Sequence, residues 1–138
     1  SSISYTGNNR THMIRIPDSG RFELRLMDGS VNPYLLQASV LAAGLDGLKN
    51  KINPGKPLNC NMYEDHEKYP DLPKLPNELQ QSLKMLKDNK DMNDAFGKDV
   101  IDSYIKLRSS EINEFDQKEN FDKTKTITRW ERNNTLDC

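Results

Sequence analysis

Two short runs of alternating apolar and polar residues, Ile14-Arg15-Ile16 and Arg21-Phe22-Glu23-Leu24-Arg25-Leu26, flank the turn-forming trio Asp18-Ser19-Gly20. A two-residue period is that of a strand, and a glycine-containing turn between two such runs predicts an antiparallel β-hairpin. This pattern constrains the rest of the chain, because an isolated hairpin is marginally stable and must join more sheet or pack on something. On the second strand Phe22, Leu24 and Leu26 fall on one face, and Arg21, Glu23 and Arg25 on the other. Arg15 adds to the polar face. Arg10 sits in the loop that follows Gly7-Asn8-Asn9, where backbone amides can also face an anion.

The polar face has two readings. It can be a solvated surface laced with Arg–Glu pairs, each contributing at most about 1 kcal/mol, or a grip for anions. Residue choice favours the grip: no lysine precedes Lys49, yet Arg10, Arg15, Arg21 and Arg25 all fall here. Planar bidentate donors suit carboxylate or phosphate held in a fixed orientation, whereas a merely solvated face usually mixes lysine with arginine.

These residues, in order and spacing, resemble the C-terminal part of glutamine synthetase. The resemblance runs through Asn8-Asn9-Arg10-Thr11, Ile14-Arg15-Ile16-Pro17, Arg21-Phe22-Glu23-Leu24-Arg25, Asn32-Pro33-Tyr34 and Ala42-Ala43-Gly44-Leu45-Asp46-Gly47. It continues weakly through Asn61-Met62-Tyr63, and the ending Trp130-Glu131-Arg132-Asn133-Asn134-Thr135-Leu136-Asp137 is similar to a bacterial type III, or glutamine synthetase-like, subgroup. It covers nearly the whole of this chain but only the C-terminal portion of the enzyme.

The resemblance implies ATP-dependent joining of ammonia to glutamate through γ-glutamyl phosphate. It also implies a curved antiparallel catalytic sheet completed by residues outside this chain, in a dodecamer-like homo-oligomer with active sites between subunits. By residue, it implies that Glu23 is a ligand to one of two divalent metals, Mg²⁺ or Mn²⁺, and that Arg25 grips glutamate. Arg10 and Arg15 would face the ATP phosphates and the transferring phosphoryl group, with Arg10 also near the glutamate γ-carboxylate and Arg21 a further basic position near ATP. Tyr63 matches the tyrosine that some bacterial members adenylylate; a plain structural tyrosine is the alternative. The sequence departs from many members at Pro17-Asp18-Ser19-Gly20, where their loop is longer and carries a lysine near the nucleotide. With the other metal ligands, the substrate-capping loop and the ammonium site missing, the chain is expected to be inactive by itself. A related ligase using methylamine or a polyamine remains open, as does a non-catalytic assembly or regulatory piece.

The chain's 20 Lys plus Arg nearly balance its 21 Asp plus Glu, so charge gives no reason to expect a nucleic-acid partner. No apolar run reaches the roughly 20 residues that cross a bilayer, and no signal peptide opens the chain, so the expectation is a soluble cytoplasmic protein without a membrane partner. Cys60 and Cys138 are too few for a disulfide framework or zinc site. A hydrophobic content of 34% is lean for 138 residues and suits a piece of something larger.

Along the chain, residues 1–31 form the active-site hairpin, 32–53 a core helix, 54–76 a loop and 77–138 a helical C-terminal part: an α+β arrangement of one hairpin and four or five helices. Asn32 caps the core helix and Pro33 fits its first position. Leu35, Ala38, Leu41, Leu45, Leu48 and Ile52 recur at three- and four-residue steps, predicting a buried stripe. The loop holds five prolines between Pro54 and Pro76. His66, flanked by acids, has no second ligand at helical spacing and is not read as a metal site. Asn77 is expected to cap the next helix, with Gln80 placed for a capping box. A short helix should stop at Gly97, a longer one should begin at Asp99, and a low-periodicity stretch from Lys118 to Lys125 should precede a final turn near Trp130.

Overall fold

The computed structural model describes residues 2–118 and 127–135, so the expected low-periodicity stretch lies almost wholly outside the described residues, as does Cys138. The chain divides into two compact units, one of residues 1–29 and 53–75, the other of 30–52 and 76–138.

The first unit holds a three-stranded sheet in the order β1-β2-β3: β1 Tyr5–Thr6, β2 Ile14–Asp18 and β3 Arg21–Leu24. The hairpin forms as predicted, β2 antiparallel to β3, with Ser19-Gly20 as the turn and Gly20 at φ 75°, a conformation glycine adopts without strain. A bulge between Arg15 and Asp18 shifts the register, leaving Ile14 opposite Leu24 and Arg15 opposite Glu23. The third strand is additional: β1 pairs in parallel with β2, Tyr5 against Ile14 and Thr6 against Arg15. Segment 53–75 is laced along the β1 side, Ile3 N–H donating to the Pro73 carbonyl at 2.7 Å and Leu58 N–H to that of Tyr5 at 3.0 Å. This segment is not all loop. Asn61 caps a short helix, α2 (Met62–Asp65), by accepting from Tyr63 N–H, and a 3₁₀ turn, His66–Lys68, follows. The unit's interior is small and largely polar: Ser4, Thr6 and His12 are buried with Met62.

The second unit is helical: α1 Pro33–Lys49, α3 Leu79–Asp88, α4 Lys90–Phe96, α5 Lys98–Lys118 and α6 Arg129–Thr135. Asn32 caps α1 as predicted, its side chain accepting from Tyr34 and Leu35 N–H at 3.0 and 3.1 Å. The predicted buried stripe needs correction. Leu41, Leu45, Leu48 and Ile52 are 56–78% exposed, because within the unit α4 is the principal element against α1 and is too short to cover it. The cap of α3 is a second correction: Glu78 takes the N-cap position without a side-chain bond, so Asn77 and Gln80 form no capping box. Helix α4 stops at Gly97, φ 82°, as predicted. α3 and α5 pack together and bury Leu83 and Ile101. α6 begins with a capping box of its own: Glu131 N–H donates to Thr128 Oγ1 at 3.1 Å, and Thr128 N–H to Glu131 Oε2 at 2.6 Å. Trp130 meets Phe115 edge to face, centroids 5.6 Å apart. No helix among the described residues is long and apolar enough to cross a membrane.

Candidate active site

The alternation in β2 and β3 places Arg15 and Glu23 directly across the ladder from each other. Arg15 Nη1 donates to both Glu23 oxygens, at 2.9 and 2.7 Å, while its Nε donates to Asn8 Oδ1 at 2.9 Å and its Nη2 also bonds that oxygen. The Arg15 side chain is mostly buried by these partners. Arg21 Nη1 lies 3.9 Å from Glu23 Oε1, and its Nη2 pairs with Asp18 at 3.3 Å. The Arg15 hydrogen bond, reinforced by the positive charges of Arg15, Arg21 and Arg10, holds the Glu23 carboxyl below the usual carboxylate range.

Arg10 and Arg25 behave differently: neither makes a hydrogen bond or ion pair through its side chain among the described residues. The backbone holds Arg25, whose N–H donates to the Met13 carbonyl at 2.8 Å just beyond the end of β3. Both arginines line a half-open cavity of about 610 Å³, together with Tyr63, His66 and Lys74. Among the described residues no carboxylate lines it. A cleft walled by one sign of charge focuses the field and concentrates anions of the opposite sign. Its volume falls in the range that takes a small organic ligand.

The four arginines thus fall into two pairs, one engaged by acidic side chains and one free beside a cavity. Alternation alone cannot make that division. Lys74 carries no signal in the sequence, because it lies in a proline-rich stretch without periodicity; the Ser2–Lys74 bridge brings it to the cavity. Tyr63 is 72% exposed at the start of α2. Glu23 offers the hard oxygens that Mg²⁺ and Mn²⁺ prefer, yet no group of three potential ligands gathers anywhere among the described residues. A divalent ion at Glu23 would therefore need further donors from beyond the described residues. His66 likewise joins no ligand cluster among the described residues.

Residues 1–134 match the family model of the glutamine synthetase catalytic domain. The chain is 44% identical over 136 residues to the glutamine synthetase of Rhizobium meliloti (strain 1021), covering 99% of this chain and 29% of that protein. It is 38% identical over 138 residues to the glutamate–methylamine ligase of Methyloversatilis universalis, covering 98% of this chain and 29% of that protein. A solved structure titled "GmaS/ADP complex-Conformation 1" superposes with a TM-score of 0.80 at 39% identity, over 99% of this chain and 30% of that one. The chain thus spans under a third of the length of the relatives it matches.

Proposed function

We propose, from the premise that the chain belongs to the glutamine synthetase catalytic-domain family, that it supplies part of the active site of an ATP-dependent ligase joining glutamate to ammonia. In this reading the glutamate γ-carboxylate attacks the ATP γ-phosphorus and releases ADP. Ammonia then attacks the acyl carbon of γ-glutamyl phosphate, expels phosphate and, after losing a proton, leaves the amide of glutamine. Phosphoryl transfer needs chiefly positioning and charge neutralisation. The observation that carries the reading is the sorting of the arginines: Arg10 and Arg25, whose side chains make no hydrogen bond or ion pair to an acid among the described residues, share a cavity whose described lining holds no carboxylate. Arg25 holds the glutamate carboxylate and Arg10 the transferring phosphoryl group. Arg15 and Arg21 hold Glu23 ionised while lying on the ATP side. Glu23 supplies one oxygen ligand to Mg²⁺ or Mn²⁺, whose bound charge offsets the phosphate oxygens. The turn at Ser19-Gly20 carries no lysine to face the nucleotide, so in this reading Arg10, Arg15 and Arg21 are the basic groups on the ATP side. A dodecamer-like homo-oligomer in the cytoplasm, completing each site from a neighbouring subunit, belongs to the same proposal, as does inactivity of the 138 residues alone.

A methylamine acceptor is the second reading, favoured by the likeness to a glutamate–methylamine ligase. A polyamine ligase or a non-catalytic assembly piece is the remaining alternative. The test is the full-length protein supplied with ATP, glutamate, Mg²⁺ or Mn²⁺, and in turn ammonium, methylamine or a polyamine, with phosphate and γ-glutamyl product both measured. Product with ammonium alone supports the first reading and product with methylamine the second; none with any amine leaves the assembly role. Tyr63 is proposed as a modification site, since an adduct on its exposed phenol would stand at the cavity that Arg10 and Arg25 share. An intact-mass increment on protein from its host, absent in Tyr63→Phe, is the expected result.

A further inference from the structure

Arg10 lies in the connection of residues 7–13 that joins β1 to β2. Parallel strands ordinarily need a dozen or so residues between them. This connection is shorter and contains no helix. A guanidinium that must meet a phosphoryl group within about half an ångström needs its own rotamer and backbone held by a supporting shell.

Side chains supply that shell on both sides of Arg10. Asn9 Oδ1 accepts from the Thr11 backbone N–H at 2.9 Å and from its hydroxyl at 2.8 Å. Asn9 Nδ2 donates to the Cys60 carbonyl at 2.9 Å. Thr11 Oγ1 in turn accepts from Met62 N–H at 3.0 Å. His12, only 3% exposed, meets Ser4 Oγ at Nδ1 and the Cys60 carbonyl at Nε2, both at 3.0 Å. A carbonyl only accepts, so Nε2 carries the proton, and in the neutral ring Nδ1 accepts from the Ser4 hydroxyl. One carbonyl oxygen therefore receives a donor from each side of Arg10. Within residues 9–12, Arg10 alone has a side chain without a hydrogen bond among the described residues.

We propose that His12, acting with Asn9 through the shared Cys60 carbonyl, is a positioning residue that fixes where the Arg10 guanidinium stands. The proposal rests on the reading of Arg10 as the phosphoryl-facing arginine. His12 borders the same cavity as Arg10, but both its ring nitrogens are used to fasten the loop.

The test is a double-mutant cycle in the full-length protein. His12→Leu keeps an apolar filling of the buried site and removes both hydrogen bonds. It is expected to lower kcat at saturating glutamate and ATP by about tenfold, in keeping with the large rate losses that small misplacements cause, while the apparent KM values move within about twofold. His12→Gln, which retains a donor for the Cys60 carbonyl, should recover most of the rate. In an Arg10→Ala background His12→Leu should change kcat by less than about twofold, because effects of residues acting through one another do not add. Equal His12→Leu effects in both backgrounds would overturn the inference alone. An Arg10→Ala protein with parental kcat would overturn the reading of Arg10 and this inference with it. Should His12→Leu fail to fold, Asn9→Ala removes the other half of the clamp from a less buried position and goes through the same cycle: a loss of rate confined to the Arg10 background supports the inference, and an equal loss in both backgrounds overturns it.

Discussion

Arg15 donates from a single nitrogen, Nη1, to both carboxylate oxygens of Glu23 from the position directly across the β2–β3 ladder. An arginine engaged in this way is anchored, and the carboxylate it holds is ionised at neutral pH with its lone pairs partly used. Glu23→Gln keeps the shape and one acceptor for Arg15 but removes the charge. In the full-length protein it should raise the Mn²⁺ or Mg²⁺ concentration needed for half-maximal turnover; an unchanged metal titration would remove Glu23 from the metal site.

The same pair sets a pH dependence whose sign is fixed. Arg15 lowers the Glu23 pKa below its ordinary 4.5, so the stability contributed is present above that value and is lost as pH falls through the lowered one. The melting temperatures of the parent and Glu23→Gln should therefore differ near neutrality and converge in acid. Curves that stay parallel to the lowest pH at which folding persists would show that the pair contributes nothing through charge.

Arg25 has no acidic partner among the described residues to be deprived of, so its replacement reports on the ligand. Lys preserves the charge on the cavity wall but not the planar fork. A hydrogen bond to a charged group is worth about 1.5–3 kcal/mol, so losing one of two should raise the glutamate requirement about tenfold or more. The ATP requirement should stay nearly constant. Equal shifts for both substrates would reassign Arg25.

Asn32 tests the scaffold. Its side chain satisfies two of the donors at the start of α1, and replacing such a cap by Ala costs about 1 kcal/mol. Asn32→Ala should lower the urea midpoint with an unchanged slope and leave the metal and glutamate requirements alone.

Asn32-Pro33, the stop at Gly97 and the hairpin about Ser19-Gly20 are legible in the sequence because each is decided within a few residues by cap chemistry or backbone conformation. β1 is not legible: two residues long, it is defined by pairing across an aperiodic loop. The helix at Met62 is hidden in a proline-rich stretch, where one Asn cap decides it. In α1 the periodicity marks the apolar face correctly but cannot say what covers it, and within this chain Leu41, Leu45 and Leu48 stay exposed. The arginines show the same limit at the site. Strand alternation makes Arg21, Glu23 and Arg25 equivalent, and only the register that sets Arg15 against Glu23 determines which charges are neutralised and which remain available.

Arg10 is the residue on which the proposed reaction depends most. Its side chain has no hydrogen bond or ion pair among the described residues and is exposed at the cavity wall, so its removal leaves no buried partner unsatisfied. Were it only a solvated surface charge, Arg10→Ala would leave turnover almost unchanged. If instead it meets the phosphoryl group in flight, its charge matters more as negative charge redistributes than when substrates are merely bound, and the loss falls on kcat. Deleting one preorganised donor typically costs on the order of 10² to 10³ in rate. In the full-length protein, Arg10→Ala should therefore lower kcat by that order at saturating ATP and glutamate, with a melting temperature close to the parent's. Turnover within about threefold of the parent, a barrier difference of roughly 0.7 kcal/mol, would exclude a phosphoryl-transfer role for Arg10.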